Sequence, residues 1–353
     1  MRVLSILLTP ALFALPVAAL AEAPAQTAAE AGGLASVRAF TLEHGTALAT
    51  AAATLRDGTA AYAGIIADHG GDYEAAWAAD GATLAQAVRD IRAAWLATHN
   101  EYETIEGIVA GLPRTVKYDL ILDAGNPGTE DEDVAEYDLT LPDGTVLERP
   151  GNLFHALSEP VLWGTSPDAV RLAADLDGDG TIGAGEMLFD ANLALGAAEG
   201  LAFWTADLQA QIESWEPTRD DAFTAVVTMT PTIGDYFGEW KDSQYLGGIG
   251  ESFVAQSRLV DVEGIMSGCR LMYESAIAPV LAEAGDTDLD AVIRSNFAQM
   301  LDLVGDTHAR EQAGESFSAE EADALAAESQ DIADRIVAQV LQAAARYEVT
   351  IEE

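Results

Sequence analysis

The sequence predicts an all-α fold of two helical-bundle halves, with a small β-hairpin insertion and one calcium-type loop. Three observations carry it. Apolar residues recur at three- and four-residue steps through most of the chain, the spacing that gives a helix one buried stripe. Aromatics are only 7% of the 353 residues while hydrophobic residues reach 49%, so alanine-rich helix packing supplies the core. Strand-like alternation is confined to 116–148.

In chain order, Met1–Ala21 has a single positive residue, Arg2, a broken apolar run and the small-x-small end Ala19-Leu20-Ala21, which predicts a cleavable signal peptide and a periplasmic protein. No later segment is long and uncharged enough to span a bilayer. Residues 22–34 are rich in Ala, Glu and Gly and predict a flexible leader. The first half, 35–195, opens with helices over 35–68 and along the stripe Leu84, Val88, Ile91, Trp95, Tyr102, Ile105. The insertion 116–148 follows. Val116–Asp123 and Tyr137–Leu141 both alternate, and Pro142-Asp143-Gly144 supplies hairpin turn chemistry. The second half, 196–350, holds helices expected at 219–235 and 288–304, a stripe through Val262, Ile265, Cys269 and Met272, and a last helix capped by Ser318 and Glu321. A helix over 189–214 crosses between the halves.

Charge and cysteine content exclude several classes. Seventeen Lys+Arg against 59 Asp+Glu give −42, so a nucleic-acid or anionic-membrane partner is ruled out for want of phosphate-neutralising cations. The single cysteine, Cys269, excludes an internal disulfide and a cysteine zinc cluster. It falls on an apolar stripe and reads as a buried thiol.

Asp175-Leu-Asp177-Gly-Asp179-Gly180-Thr181-Ile182-Gly-Ala-Gly-Glu186 fits the EF-hand loop. Carboxylates stand at positions 1, 3, 5 and 12, glycine at 6, Thr181 offers its carbonyl at 7, and Ile182 at 8 is expected to point inward. The predicted ligands are Asp175, Asp177, Asp179, Thr181 and Glu186, the predicted ion is calcium, and helices are expected on both sides.

A second group is buried by periodicity. His99 lies between Trp95 and Tyr102, and Glu103 and Glu106 lie one turn on. His155 and Glu159 repeat the device four residues apart. Inward His and Glu on facing helices build metal sites in bundles; the same spacing also fits core histidines bonded to carboxylates. No zincin helix, nucleophile elbow or phosphate loop is present, and no residue is assigned a catalytic role.

Tyr102-Glu103-Thr-Ile-Glu106 and His155…Glu159-Pro-Val-Leu-Trp163-Gly164 resemble the Tyr-Glu-x-x-Glu helix and the GxHxxE…LWG segment of imelysin-like bacterial envelope proteins, related to EfeO-type periplasmic iron-uptake components. The resemblance covers about residues 35–350. It implies a metal site of His155, Glu159, His99, Glu103 and Glu106 with Tyr102 beside it, iron or another transition metal as its ion, and envelope iron-uptake partners. Three departures stand out: Leu153 replaces the glycine, His155 and Glu159 are separated by one extra residue, and Pro160 follows the glutamate. In the second half the family's polar stretch reads Gln256-Ser257-Arg258, without its histidine. The functional expectation is a metal-binding protein for iron acquisition with a structural calcium site. The alternatives are a calcium-stabilised scaffold whose His-Glu motif is a remnant, and, third, a metallopeptidase.

Overall fold

The computed structural model describes residues 27–129, 133–246 and 252–352. The expected signal peptide lies outside them, as does the leader up to residue 26. From there the chain is helical: α1 runs Ala28–Asp68. Thr27 caps it, with Glu30 completing a capping box. Arg219 from the second half donates two hydrogen bonds to the buried Glu30 carboxylate. That anchor makes 28–34 part of the first helix instead of a loose leader.

Helix α2 (Tyr73–Val109) returns along α1. α3 (Val116–Leu122) follows, where alternation predicts a strand. The Thr115 hydroxyl donates to the Val109 carbonyl at 2.6 Å, turning the chain directly into a helix that buries Tyr118, Asp119, Ile121 and Leu122. The hairpin forms downstream: β1 (Asp138–Thr140) pairs antiparallel with β2 (Val146–Glu148), with Leu139 opposite Leu147. Its turn is closed by Asp143, which accepts from the Thr145 amide, and by Gly144 at φ +90°. A π-helical turn, Leu153–Ser158, then leads into α4 (Glu159–Trp163).

Strands β3 (Val170–Ala173) and β4 (Met187–Phe189) pair antiparallel. The acidic loop therefore joins two strands; the helix–loop–helix frame of an EF-hand is not formed around it. α5 (Ala191–Ser214) packs on α1. The second half comprises α6 (Arg219–Met229), α7 (Ile233–Asp242), α8 (Arg258–Met272), a second π-helical turn Tyr273–Ile277, α9 (Ala278–Ala284), α10 (Thr287–Gln312) and α11 (Ala319–Arg346).

Two hydrophobic cores organise these elements. One runs from Leu48 to Ile212; the other is built from α6 to α11 plus Leu34, Val37 and Ile108. Residue 195, where the sequence reading divides the halves, lies inside α5, whose buried face belongs to the first core. Cys269 is fully buried in the second. Helices α1 and α2 serve both cores. At the crossing of α2 and α8 the backbones nearly touch: a Cβ added at Gly107 would stand 2.2 Å from the Ile265 carbonyl oxygen. That approach presses Glu103 of α2 against the start of α8. Among the described residues no helix is long and apolar enough to cross a membrane.

Candidate metal centre

The stripe of α2 is buried as its period predicts, and the polar residues in it are buried with it. His99, Glu103 and Glu106 are 0, 2 and 1% exposed. The His99 ring stacks on Trp95, with centroids 4.8 Å apart. Across from it, the π-helical turn presents His155. Asn152 caps that turn by accepting the His155 and Ala156 amides. A π turn has one residue more than an α turn, so it absorbs the extra residue between His155 and Glu159 and keeps both on one side. Pro160 sits in the first turn of α4, where its missing N–H is tolerated.

Two imidazoles and two carboxylates converge. His99 Nε2 and His155 Nε2 are 3.0 Å apart. Glu103 Oε1 is 3.0 Å from His99 Nε2. Asp123 Oδ1, one residue beyond α3, is 3.1 Å from His155 Nε2 and 3.5 Å from His99 Nε2. All four ligand atoms lie within 4.8 Å of one another. Donors on a sphere of about 2.0–2.1 Å radius sit about 2.9 Å apart at right angles and about 3.3 Å apart at tetrahedral angles. The observed spacings fall around these values. Glu103 Oε1 and Asp123 Oδ1 receive no well-directed hydrogen bond despite full burial, which is costly unless a cation completes them. The donor set is compatible with a bound metal ion.

A surrounding layer orients these four. His155 Nδ1 faces Glu159 Oε2 at 2.8 Å. Glu159 also accepts the backbone amides of Phe253, Val254 and Ala255, each at 2.8 Å. An Nδ1–H given to Glu159 leaves the Nε2 lone pair free to ligate. Glu159, expected as a ligand, is thus placed behind His155. Glu106, also expected as one, lies a turn away and accepts from the Tyr236 hydroxyl at 2.9 Å. Tyr102 donates to Asp119 at 2.7 Å. Arg258 is buried among carboxylates. Its nitrogens approach Glu103 Oε2 at 3.7 Å and Asp123 Oδ2 at 3.6 Å. It lies on the side of the outer oxygens, at ion-pair distance and without a hydrogen bond to Glu103 Oε2, while Oε1 and Oδ1 face the imidazoles.

Electrostatics follow from burial. Desolvation works against protonating His155, yet Asp123 and Glu159 outweigh it and push the imidazole up to about 9. Desolvation opposes the charge on His99 too, and Asp261 and Asp123 overcome it. Burial, then Asp123 and Asp261, push the Glu103 carboxyl well above the usual carboxylate range. Burial also opposes ionisation of Asp123, but His155, His99 and Arg258 hold it well below that range.

Asp123, Arg258 and Asp261 were not among the ligands that spacing suggested. Asp119 and Asp123 stand four apart, the helical signal, but within a run that also alternates.

In the acidic loop, Asp175, Asp177 and Glu186 can each aim one oxygen into a common space within 4.8 Å. Asp179 instead accepts the Thr181 amide at 2.7 Å and its hydroxyl at 2.6 Å. Ile182 is 56% exposed; without a partner loop or flanking helices it has no surface to cover. Arg89 and Arg92 tie the loop to α2 through the Leu176 and Gly185 carbonyls.

Comparison with curated proteins gives no match. The imelysin family model matches residues 42–340. That span contains α2, the π-helical turn and the second-half layer around Arg258, so with the whole constellation inside the match, the chain belongs to the imelysin family.

Proposed function

We propose that this chain is an exported, periplasmic metal-binding protein that holds one transition-metal ion on four residues of its first half, backed by Arg258 of the second, and serves iron acquisition, alongside envelope partners of the EfeO-related kind. The observation that carries this reading is the convergence of two buried oxygens without a well-directed hydrogen bond, Glu103 Oε1 and Asp123 Oδ1, on two imidazole Nε2 atoms. His99, Glu103, Asp123 and His155 would hold the ion. Mixed imidazole and carboxylate donors suit iron or zinc over calcium, which takes oxygen ligands. A bound divalent ion would supply the positive charge that two desolvated carboxylates need. Glu159 fixes the His155 ring, and Arg258 fixes the two carboxylates from behind. With every member under a tenth exposed, the cluster is shaped to retain an ion more than to present it to a peptide bond. The loop 175–186 is proposed as a separate calcium site through Asp175, Asp177 and Glu186, with Asp179 and the Thr181 carbonyl joining after a local turn.

Elemental analysis of protein purified without added metal tests the reading. Bound iron or zinc near one equivalent is expected, lost in His155→Ala while calcium stabilisation persists. A second reading, a calcium-stabilised scaffold, is favoured by Arg258, whose fixed cation already sits among the carboxylates. Unchanged metal content in His155→Ala, or no affinity of the native protein for either metal, would leave the scaffold reading standing.

A further inference from the structure

Helix α3 has two working faces. Asp119 and Asp123, four residues apart, look toward the metal centre. Lys117 and Ile121, also four apart, are offset by two residues, about 200° around the helix, and so face the other way. There they wall a cleft of ≈ 380 Å³, completed by Glu136, Arg149 and Trp204 among others. That volume lies within the usual range of small-molecule sites, about 300–1,000 Å³.

The cleft's cations stand out in so acidic a chain. Seventeen Lys+Arg face 59 Asp+Glu, and several arginines elsewhere pair with carboxylates: Arg171 with Asp190, Arg219 with Glu30, Arg310 with Glu315. Among the described residues neither the Arg149 guanidinium nor the Lys117 ammonium meets a carboxylate; Lys117 lies 4.5 Å over the Tyr118 ring. Arg149 also holds φ at +43°, a left-handed conformation that costs a non-glycine residue energy and is found disproportionately at ligand clamps. Its backbone is fixed there on both sides, donating to Asp138 at 3.1 Å and accepting from Gly128 at 3.0 Å. Opposite, Trp204 is set edge-on against Tyr118 and Tyr137, with centroids 6.3 and 6.2 Å away. It offers a firmly placed apolar wall.

We propose that this cleft is a second ligand site, taking a small aromatic monocarboxylate. Arg149 and Lys117 receive the carboxylate, the planar fork of arginine matching its two oxygens, and Trp204 and Ile121 receive the ring. Among the described lining residues, two cations and Glu136 leave one positive charge in excess. One carboxylate is therefore matched, and a polyanion is repelled by Glu136. The site stands independently of whether the metal centre is filled.

Isothermal titration of the full-length mature protein with 4-hydroxybenzoate tests this, with 4-hydroxybenzamide as the uncharged analogue and citrate as the polyanion. Saturable binding of 4-hydroxybenzoate is expected, roughly tenfold or more tighter than either comparator. Arg149→Gln should weaken it by a similar factor, Arg149→Lys, which keeps the charge but loses the fork, should weaken it by less, and Trp204→Leu should weaken it. Arg114→Gln, at an exposed arginine outside the cleft, should leave it unchanged. Thermal melts of each variant check folding. No saturable binding at millimolar 4-hydroxybenzoate, equal binding of the amide, or full affinity in a folded Arg149→Gln protein would overturn the proposal.

Discussion

In the proposed site His155 uses both ring nitrogens, and its environment would set the pH range in which it ligates. Asp123 and Glu159 push its pKa to about 9 in the metal-free protein, against about 6.5 for an unperturbed imidazole. With the folded value above the unfolded one, the bound proton stabilises the metal-free fold fully below about pH 6.5, and that contribution fades as pH rises through about 9. A metal at Nε2 must displace the proton, and Glu103, whose carboxyl burial, Asp123 and Asp261 push well above the usual range, must be ionised to ligate. Metal affinity should therefore climb with pH from about 6 to about 9, a higher range than free histidine would give. Calorimetry at pH 7 in buffers of different ionisation heat should read proton release on binding. Glu159→Gln keeps the shape but removes the charge behind Nδ1. It should lower affinity by about 10–100-fold and reduce the protons released. Metal binding independent of pH, or unchanged in Glu159→Gln, would separate His155 from the metal.

At the scale of elements, the centre depends on how closely α2 and α8 approach. A Cβ at Gly107 would meet the Ile265 carbonyl oxygen at 2.2 Å, whereas one at Gly305 in α10 would meet nothing within 4 Å. The same substitution should then have opposite signs. Gly305→Ala should stabilise by about 1 kcal/mol through helix propensity. Gly107→Ala should destabilise by about 1–3 kcal/mol as overpacking outweighs that gain, and should weaken metal binding by moving Arg258 off Glu103. Denaturant melts of both variants check this, and a stabilised Gly107→Ala would mean that the helices are free to separate. The long helices were legible because their stripes are long; Leu84 to Ile105 admits one period. Val116–Asp123 is short enough to fit two, and the strand reading hid the pairing of Asp119 with Asp123 that brings in a candidate ligand. The spacing of His155 and Glu159 departed from the family's for a reason that only a backbone can show: the π turn takes up the added residue. Arg258 was visible as a difference from the family, but nothing in its neighbours' spacing says that it lies behind Glu103 and Asp123.

Over the whole molecule the −42 charge bears on any test of calcium. Carboxylates spread over the surface repel one another, so any cation raises stability by screening, and a calcium-induced rise in melting temperature alone would not identify a site. The two effects differ in range. Screening saturates with ionic strength, the Debye length falling to about 3 Å at 1 M salt, while ions held by converging oxygens are stabilised by mass action even in that medium. Asp175, Asp177 and Glu186 lie at the ends of a loop between β3 and β4, which α2 grips through Arg89 and Arg92. Binding there would therefore tighten the strand pair and its contact with α2, not helix ends as the EF-hand analogy implies. Sodium chloride near 1 M should raise the melting temperature of the native protein and of Glu186→Gln alike. Millimolar calcium added on top should raise it further in the native protein and not in Glu186→Gln, which loses the charge that bridges the Leu176 and Asp177 amides. Magnesium, which prefers compact octahedral shells and its own waters, should do less than calcium. An equal calcium response in the two proteins at high salt would assign the whole effect to screening and remove 175–186 as a site.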